Sequence, residues 1–302
     1  MRLATIGNQP LRGQRVDTSI PRVWVVLPTL NEAGNIRSLL ERIGDSLTQL
    51  EYTLCVVDDG SNDGTLDIVR DFIRAGNHGN ICIIQRKKTH FGSQRGVAVW
   101  TGLQYGFQHS DSQIFVEMDA DLSHRPEELR TGIEAIHSGC DVAIASKYLA
   151  GSKVTNRPLA RRLLSRVANT TVRTFMSRSV RDYSNGFRFY GRECVGMICA
   201  HRLRYGSPIY LTEVLALLLA HRMTVHEFPS HYVGRGEGLS KLRIIDLVKA
   251  GIAVLDIAMR FHFHSHGFVR GAPAYSTAIH ISHVEPAAEL QGTANEIGTT
   301  GD

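Results

Sequence analysis

From residue 23 to residue 145 the chain alternates between two hydrophobic periods. Short unbroken apolar runs occupy Val23–Leu27, Thr53–Val57, Ile81–Ile84, Ile114–Glu117 and Val142–Ala145. Between them lie Asn35–Leu47, Thr65–Arg74, Gly96–Phe107 and Pro126–Ser138, where apolar residues return every three or four positions. Runs of the first kind predict strands buried on both faces, and the second kind predicts amphipathic helices. The order is therefore βαβαβαβαβ, which implies an α/β fold with a mainly parallel sheet flanked by helices on both sides. The remainder divides into a polar arm over residues 1–20 and a polar tail over 269–302, both expected to be disordered. One large domain over 21–242 and an amphipathic helix within 243–268 complete the expected organisation.

Open α/β sheets bind ligands beyond the carboxyl ends of their strands, so the residues following each apolar run carry the chemistry. After the first run comes Pro28-Thr29-Leu30-Asn31-Glu32, after the second Asp58-Asp59-Gly60-Ser61, and after the fourth Asp119-Ala120-Asp121. Neither of the first two turns has the G-x-G-x-x-G spacing of a dinucleotide site, and no P-loop is present. Acids gathered on one rim suit a divalent cation, because Mg²⁺ and Mn²⁺ take hard oxygen ligands and share their remaining positions with water and substrate phosphates. Turn formation and helix capping are alternative uses for Asp59, Asp119 and Asp121, and the sequence leaves them open.

Charge adds an anionic partner to this picture. The net charge of the 302 residues is only +5, yet Lys147–Arg260 holds 19 Lys and Arg against 7 Asp and Glu. Within it, Thr155–Arg181 has seven arginines and no acid. Phosphates, nucleic acid or an acidic membrane surface would answer such a segment. The aromatics and reader motifs of a nucleic-acid binder are missing, which turns the expectation to phosphates and lipid. The five cysteines show neither CxxC nor Cys/His ligand spacing and read as small buried hydrophobes of a reducing compartment. With no signal-like apolar stretch at the amino end, a cytoplasmic location is expected. Along Leu242–Phe263 the charges Asp246, Lys249, Asp256 and Arg260 share one narrow stripe. A helix lying in a membrane interface fits that pattern, as does one packed on the body or on a second copy of the chain.

Seven stretches in order carry a specific resemblance: VVLPTLNEAGNI (25–36), VVDDGSNDGTLDIV (56–69), VEMDADLSHRPEEL (116–129), ASKYLAGS (145–152), RRLLSRVAN (161–169), DYSNGFRFYGRE (182–193) and VHEFPSHYVGRGEGLSKL (225–242). Together they resemble the family 2 nucleotide-sugar glycosyltransferases of GT-A fold, and within these the dolichol-phosphate (polyprenyl-phosphate) mannose synthase group. The resemblance implies that Pro28, Leu30, Glu32, Val57 and Asp59 form the nucleoside pocket. It further implies that Asp119, Ala120 and Asp121 meet the diphosphate, with Asp119 and Asp121 holding Mg²⁺ or Mn²⁺. Lys147, Arg166, Arg235 and Lys241 match positions that meet donor or acceptor phosphates, and Asp121, Arg235 and Lys241 are the expected catalytic residues.

Departures from the family pattern are visible. Lys147 stands where arginine is usual, which exchanges a bidentate phosphate contact for a point charge. The K-x-G-L-G-x-A segment appears as Thr89–Ala98 with a changed charge and bulk. The expected reaction is inverting transfer of a sugar, mannose from GDP-mannose, to a polyprenyl or dolichyl phosphate at the cytoplasmic membrane face. A UDP-sugar donor or a soluble hydroxyl acceptor on the same fold is an alternative reading, and a non-catalytic nucleotide-sugar or anion-binding module is a third. A phosphate acceptor is already anionic near neutral pH and needs cations, whereas a hydroxyl acceptor needs a base. Glu213, isolated in sequence, fits a structural part better than that of a base.

Overall fold

A computed structural model describes residues 20–76, 80–87, 94–201, 203–234, 244–262 and 281–285. Its first half follows the hydrophobic pattern element by element: β1 (Val23–Thr29), α1 (Ile36–Ser46), β2 (Tyr52–Asp58), α2 (Thr65–Arg74), β3 (Asn80–Arg86), α3 (Arg95–His109), β4 (Ile114–Glu117), α4 (Leu129–His137) and β5 (Val142–Ser146). A short 3₁₀ turn at Pro126–Glu128 leads into α4, since proline at a first helical position lacks only an amide that would be unpaired there anyway. Next come β6 (Lys153–Thr155), α5 (Leu159–Phe175), β7 (Arg188–Gly191), α6 (Arg192–Ala200), α7 (Tyr210–Ala220), β8 (Val225–Pro229), β9 (His231–Val233), α8 (Ile244–His262) and β10 (Ile281–Glu285).

Eight strands form one sheet in the order β10-β3-β2-β1-β4-β7-β5-β8, and β6 pairs with β9 separately. β3, β2, β1 and β4 run parallel, as do β5 and β8, while β7 lies antiparallel between β4 and β5. The sheet is thus mixed, because β7 re-enters from the opposite end. Alternation along β1 divides the core. Val23, Val25 and Leu27 pack with α1, α2 and α4, while Trp24 and Val26 face α3, α6 and α7. Gly106 lets α3 lie close on this second face: a Cβ there would overlap the Trp24 indole, whose Nε1 donates to the Gly102 carbonyl at 3.0 Å.

One expectation for the carboxyl end needs adjustment. Five residues of the segment 269–302, expected to be a disordered tail, form the edge strand β10, whose Glu285 accepts from Arg70 Nη2 at 2.6 Å and Nε at 3.1 Å. The local sequence is too short and polar to announce a strand, and the pairing depends on partners 200 residues away. The expected arm lies outside the described residues except for its last position, exposed Ile20. The helix expected within 243–268 is α8, with Ala253, Val254, Ile257 and Ala258 buried and Ile252, Leu255 and Met259 exposed. No helix among the described residues is long and apolar enough to cross a membrane.

Candidate active site

The loops after β1 and β2 are tied into one rim. Asn31 Oδ1 accepts from the Asn62 amide at 3.0 Å, the Asn31 amide donates to Ser61 Oγ at 2.9 Å, and Asp63 Oδ2 accepts from the Ala33 amide at 3.0 Å. Asp58 is spent inside its own turn, accepting from the Gly60 and Ser61 amides at 2.9 Å. That releases its neighbour Asp59 to face the rim, where Arg86 Nη1 from the end of β3 donates to it at 2.6 Å. Burial pushes the Asp59 carboxyl up to about 6 despite Arg86, and the adjacent Asp58 adds to the rise. Pro28 and Leu30 line the same rim with Leu30 exposed, Val57 is buried in β2, and the carboxylate of buried Glu32 accepts from Asn35 at 2.8 Å.

The second acidic turn leaves β4. Asp119 and Asp121 flank buried Ala120, and Asp121 accepts from the Ser123 amide at 3.0 Å in a turn that brings Leu122 to a φ of 61°. The Asp119 amide donates to His124 Nδ1 at 3.1 Å, and His124 Nε2 lies 2.9 Å from Asn185 Oδ1. That pairing fixes a neutral imidazole protonated on Nε2, in keeping with burial, which pushes His124 below its ordinary value. His124 stacks on Phe187, with ring centroids 5.2 Å apart, so the acidic turn is anchored to the loop that precedes β7. Behind it, Glu117 is fully buried and accepts from Tyr190 at 2.6 Å, from Tyr210, and from Arg95 Nη1 at 3.1 Å. Arg95 Nε also donates to Asp119.

Asp119 and Asp121 provide hard carboxylate oxygens at an open strand end, which fits Mg²⁺ or Mn²⁺ completing its shell from water and a diphosphate. Among the described residues no group of three or more acids, imidazoles or thiols forms a metal-holding set. Asp59 stands apart from this pair, its carboxylate turned to Arg86 at the end of a different strand.

A cationic cavity lies on the other side of this turn. Its volume is about 60 Å³, and Lys147, Arg157, Arg162 and Arg166 line it together with Tyr148, Ser152, Val154 and Ser165. The Lys147 amide is held by buried Asp182 at 2.9 Å. Its Nζ and the Arg157 guanidinium lie 5.1 and 5.8 Å from the centre of the Tyr232 ring. Burial lowers the Lys147 ammonium from its ordinary value and raises the Tyr232 phenol, the latter with help from Asp121 and Asp119. Arg235 and Lys241, the other two expected phosphate contacts, lie outside the described residues.

Residues 24–196 match the model of the family "Glycosyl transferase family 2". The chain belongs to that family. Relatives in it include the polyprenol monophosphomannose synthase of Mycolicibacterium smegmatis, 30% identical over 239 residues that make up 79% of this chain and 88% of the relative. The dolichol-phosphate mannosyltransferase of Pyrococcus furiosus is 32% identical over 74% of this chain, which spans 59% of that longer protein. Among solved structures, glucosyl-3-phosphoglycerate synthase of Mycobacterium tuberculosis with Mn²⁺, UDP-glucose and phosphoglyceric acid has a TM-score of 0.58 at 18% identity, covering 79% of this chain and 80% of that one. The likeness gives the GT-A fold, and Mg²⁺ with UDP is bound in a second structure of the same enzyme, also with a TM-score of 0.58, at 17% identity, covering 83% of this chain and 86% of that one. As a family 2 glycosyltransferase, the chain is an enzyme of a fold that typically works with a divalent metal.

Several site residues are not singled out by reasoning from this transferase's sequence. Arg86, Arg95, Arg157, His124, Asn185 and Tyr232 reach the rim only through tertiary contacts. Asn185 lies within the matching stretch 182–193, yet only the structure gives it its place against His124. Glu213 is not available as a base: fully buried, it accepts from the Arg204 and Tyr205 amides at 3.0 and 3.1 Å and from Arg260 at 3.1 Å. Hydrogen bonds from His201 and Arg204, with the Arg260 charge, hold it below the ordinary carboxylate range although burial alone would raise it.

Proposed function

We propose that this glycosyltransferase moves mannose from GDP-mannose to a polyprenyl phosphate, with inversion at the sugar carbon. The observation that carries the reading is the cavity of Lys147, Arg157, Arg162 and Arg166 beside the Asp119–Asp121 turn, whose lining contains four cations and no carboxylate. Such a cavity suits an acceptor that arrives as an anion. An acceptor phosphate oxygen attacks the sugar carbon from the face opposite the diphosphate, the bond to the diphosphate breaks, and no proton has to be removed. The names of the relatives, each a mannose transferase acting on a polyprenol or dolichol phosphate, support the same acceptor class.

Pro28, Leu30, Glu32, Val57 and Asp59 hold the nucleoside in this reading, while Asp119, Ala120 and Asp121 face the diphosphate. A cation held by Asp119 and Asp121 would offset the charge growing on the departing diphosphate. Arg235 and Lys241 add positive charge to the phosphates, and Lys147 and Arg166 orient the acceptor.

A lipid acceptor also calls for a membrane-facing surface. α5 exposes Leu159, Leu163 and Val167 at four-residue intervals, being 77%, 66% and 56% accessible. Beside it α8 exposes Ile252, Leu255 and Met259. With arginines on both sides of the α5 row, these helices form an apolar face edged by cations, which supports peripheral docking on an anionic cytoplasmic leaflet, alone or as a homo-oligomer.

The test is incubation of purified protein with Mn²⁺ or Mg²⁺, polyprenyl phosphate and labelled GDP-mannose, with UDP-sugars as the competing donors. Label moving into the organic phase from GDP-mannose supports the proposal. Label from a UDP-sugar alone reassigns the donor, and label that stays in water with every donor overturns the lipid acceptor.

A further inference from the structure

Arg95 opens α3 and is only 14% exposed. Its guanidinium is engaged on every side: Nε with Asp119, Nη1 with Glu117 at 3.1 Å and with the Tyr210 hydroxyl, and Nη2 with the Gly186 carbonyl at 3.1 Å. The cradle is built around it. A Cβ on Gly186 would overlap the guanidinium, and one on Gly96 would stand 2.6 Å from the Tyr210 ring over which Arg95 lies. A fixed positive charge stands beside the first acid of the Asp119–Asp121 pair.

The arrangement has an electrostatic consequence. Glu117, Asp119 and Asp121 bring three carboxylates into five residues, and Arg95 faces two of them. His124, the other group against this turn, is neutral by its hydrogen bonds. Lys147 brings a second positive charge from the acceptor side. A divalent cation entering alone meets acids whose attraction is already partly offset. When a nucleoside diphosphate arrives as well, its own negative charge and oxygen ligands tip the balance towards the cation.

We propose that Arg95 is a positioning residue that makes cation binding at the Asp119–Asp121 turn conditional on the donor diphosphate. It acts as a resident counter-ion that holds the turn in shape and discourages the metal until the nucleotide is present. The proposal rests on the reading that Asp119 and Asp121 hold the cation.

The experiment is a Mn²⁺ titration of the full chain followed by electron paramagnetic resonance, with and without GDP, on wild type, Arg95→Leu, Arg95→Lys and Asp121→Asn. Removing a unit charge about 6 Å from a divalent ion changes affinity about tenfold even at the dielectric constant of water. Arg95→Leu is expected to bind Mn²⁺ alone about tenfold more tightly than wild type, so that a Mn²⁺ concentration at which wild type binds only with GDP present suffices for the variant without it. Arg95→Lys, which keeps the charge, stays with wild type. Should Arg95→Leu leave Glu117 so poorly matched that the protein unfolds, Arg95→Leu with Glu117→Gln is compared with Glu117→Gln alone, so that only the Arg95 charge differs. Folded Arg95→Leu binding free Mn²⁺ no more tightly than wild type, or the double variant no more tightly than Glu117→Gln, while Asp121→Asn abolishes binding, overturns the role of Arg95 alone. Unchanged Mn²⁺ binding in Asp121→Asn overturns the placement of the cation and the role of Arg95 with it.

Discussion

Asp59 offers a prediction whose size follows from its surroundings. Its carboxyl is pushed from an ordinary 3.8 up to about 6, chiefly by burial, with Asp58 adding and Arg86 opposing. A shift of about 2 units is worth about 3 kcal/mol in favour of the protonated form. In the proposed function the ionised carboxylate meets the nucleoside base, so donor binding needs the proton off. At pH 7 about nine-tenths of the sites are ionised, and at pH 5 about one-tenth, so GDP affinity should fall about tenfold between them. Isothermal titration of GDP across this range gives the number, and Asp59→Asn separates it from titration of the diphosphate, because the variant keeps the ligand's own pH dependence and loses the carboxylate's. Stability moves in a defined direction too. With the folded value above the unfolded one, the native state holds more protons between about pH 4 and pH 6, so unfolding free energy drops as pH rises through that window and levels off above it. Wild type and Asp59→Asn giving parallel profiles, in binding from pH 5 to 7 and in stability from pH 4 to 7, would refute the assignment of the raised pKa to Asp59.

Three further perturbations address other parts of the molecule. Glu213→Gln strips the charge from a buried acid paired with Arg260 and should cost about 3 kcal/mol in urea unfolding, while the folded variant keeps turnover within about twofold; a collapse of turnover without loss of stability would make Glu213 a base after all. Arg166→Gln removes one charge-assisted phosphate contact from the cationic cavity and should raise the KM for polyprenyl phosphate about tenfold while leaving the KM for donor unchanged, and an effect on donor alone would contradict that placement. Leu159→Glu combined with Leu163→Glu takes two exposed leucines out of the proposed membrane face; at about 1.5–3 kcal/mol for each buried leucine, partitioning to anionic vesicles should fall at least tenfold, and unchanged partitioning would exclude α5 from the docking surface.

The amino-terminal half was legible because each of its strands is buried on both faces and each helix on one, so the hydrophobic period alone gives type and order. β1, α1, β2, α2, β3, α3, β4 and β5 all lie within two or three residues of the expected positions, and the GT-A fold follows from them together with the family motifs. β7 was not legible. Its four residues, Arg188–Gly191, form no long apolar run, and their direction is set by the return of the chain from α5 rather than by any local preference. β10 was missed for the same reason, since its pairing is bought by contacts with β3 and Arg70 far away in sequence. In the site, the acidic turns announced themselves through their position after apolar runs. Their basic partners did not, because Arg86 ends a strand and Arg95 starts a helix, where an arginine reads as an ordinary boundary residue. Only the tertiary geometry shows that each reaches a specific carboxylate, and it separates Asp59 from the other two acids.

The reversed strand between β4 and β5 has a consequence for how such enzymes diversify. Because β7 enters the sheet from the end where the other strands finish, the chain from Lys147 to Phe187 is an excursion that departs from and returns to a single edge of the catalytic opening. Its stem is locked by Asp182, Asn185 and Arg188, whose guanidinium binds the Tyr183, Asn185 and Leu211 carbonyls at 2.7–2.9 Å. Whatever is spliced into the excursion is presented to the sugar from one fixed side, while the strands that grip the nucleotide keep their register. New recipients for the sugar can therefore be explored by remodelling one insertion, with the half that recognises the activated donor left undisturbed.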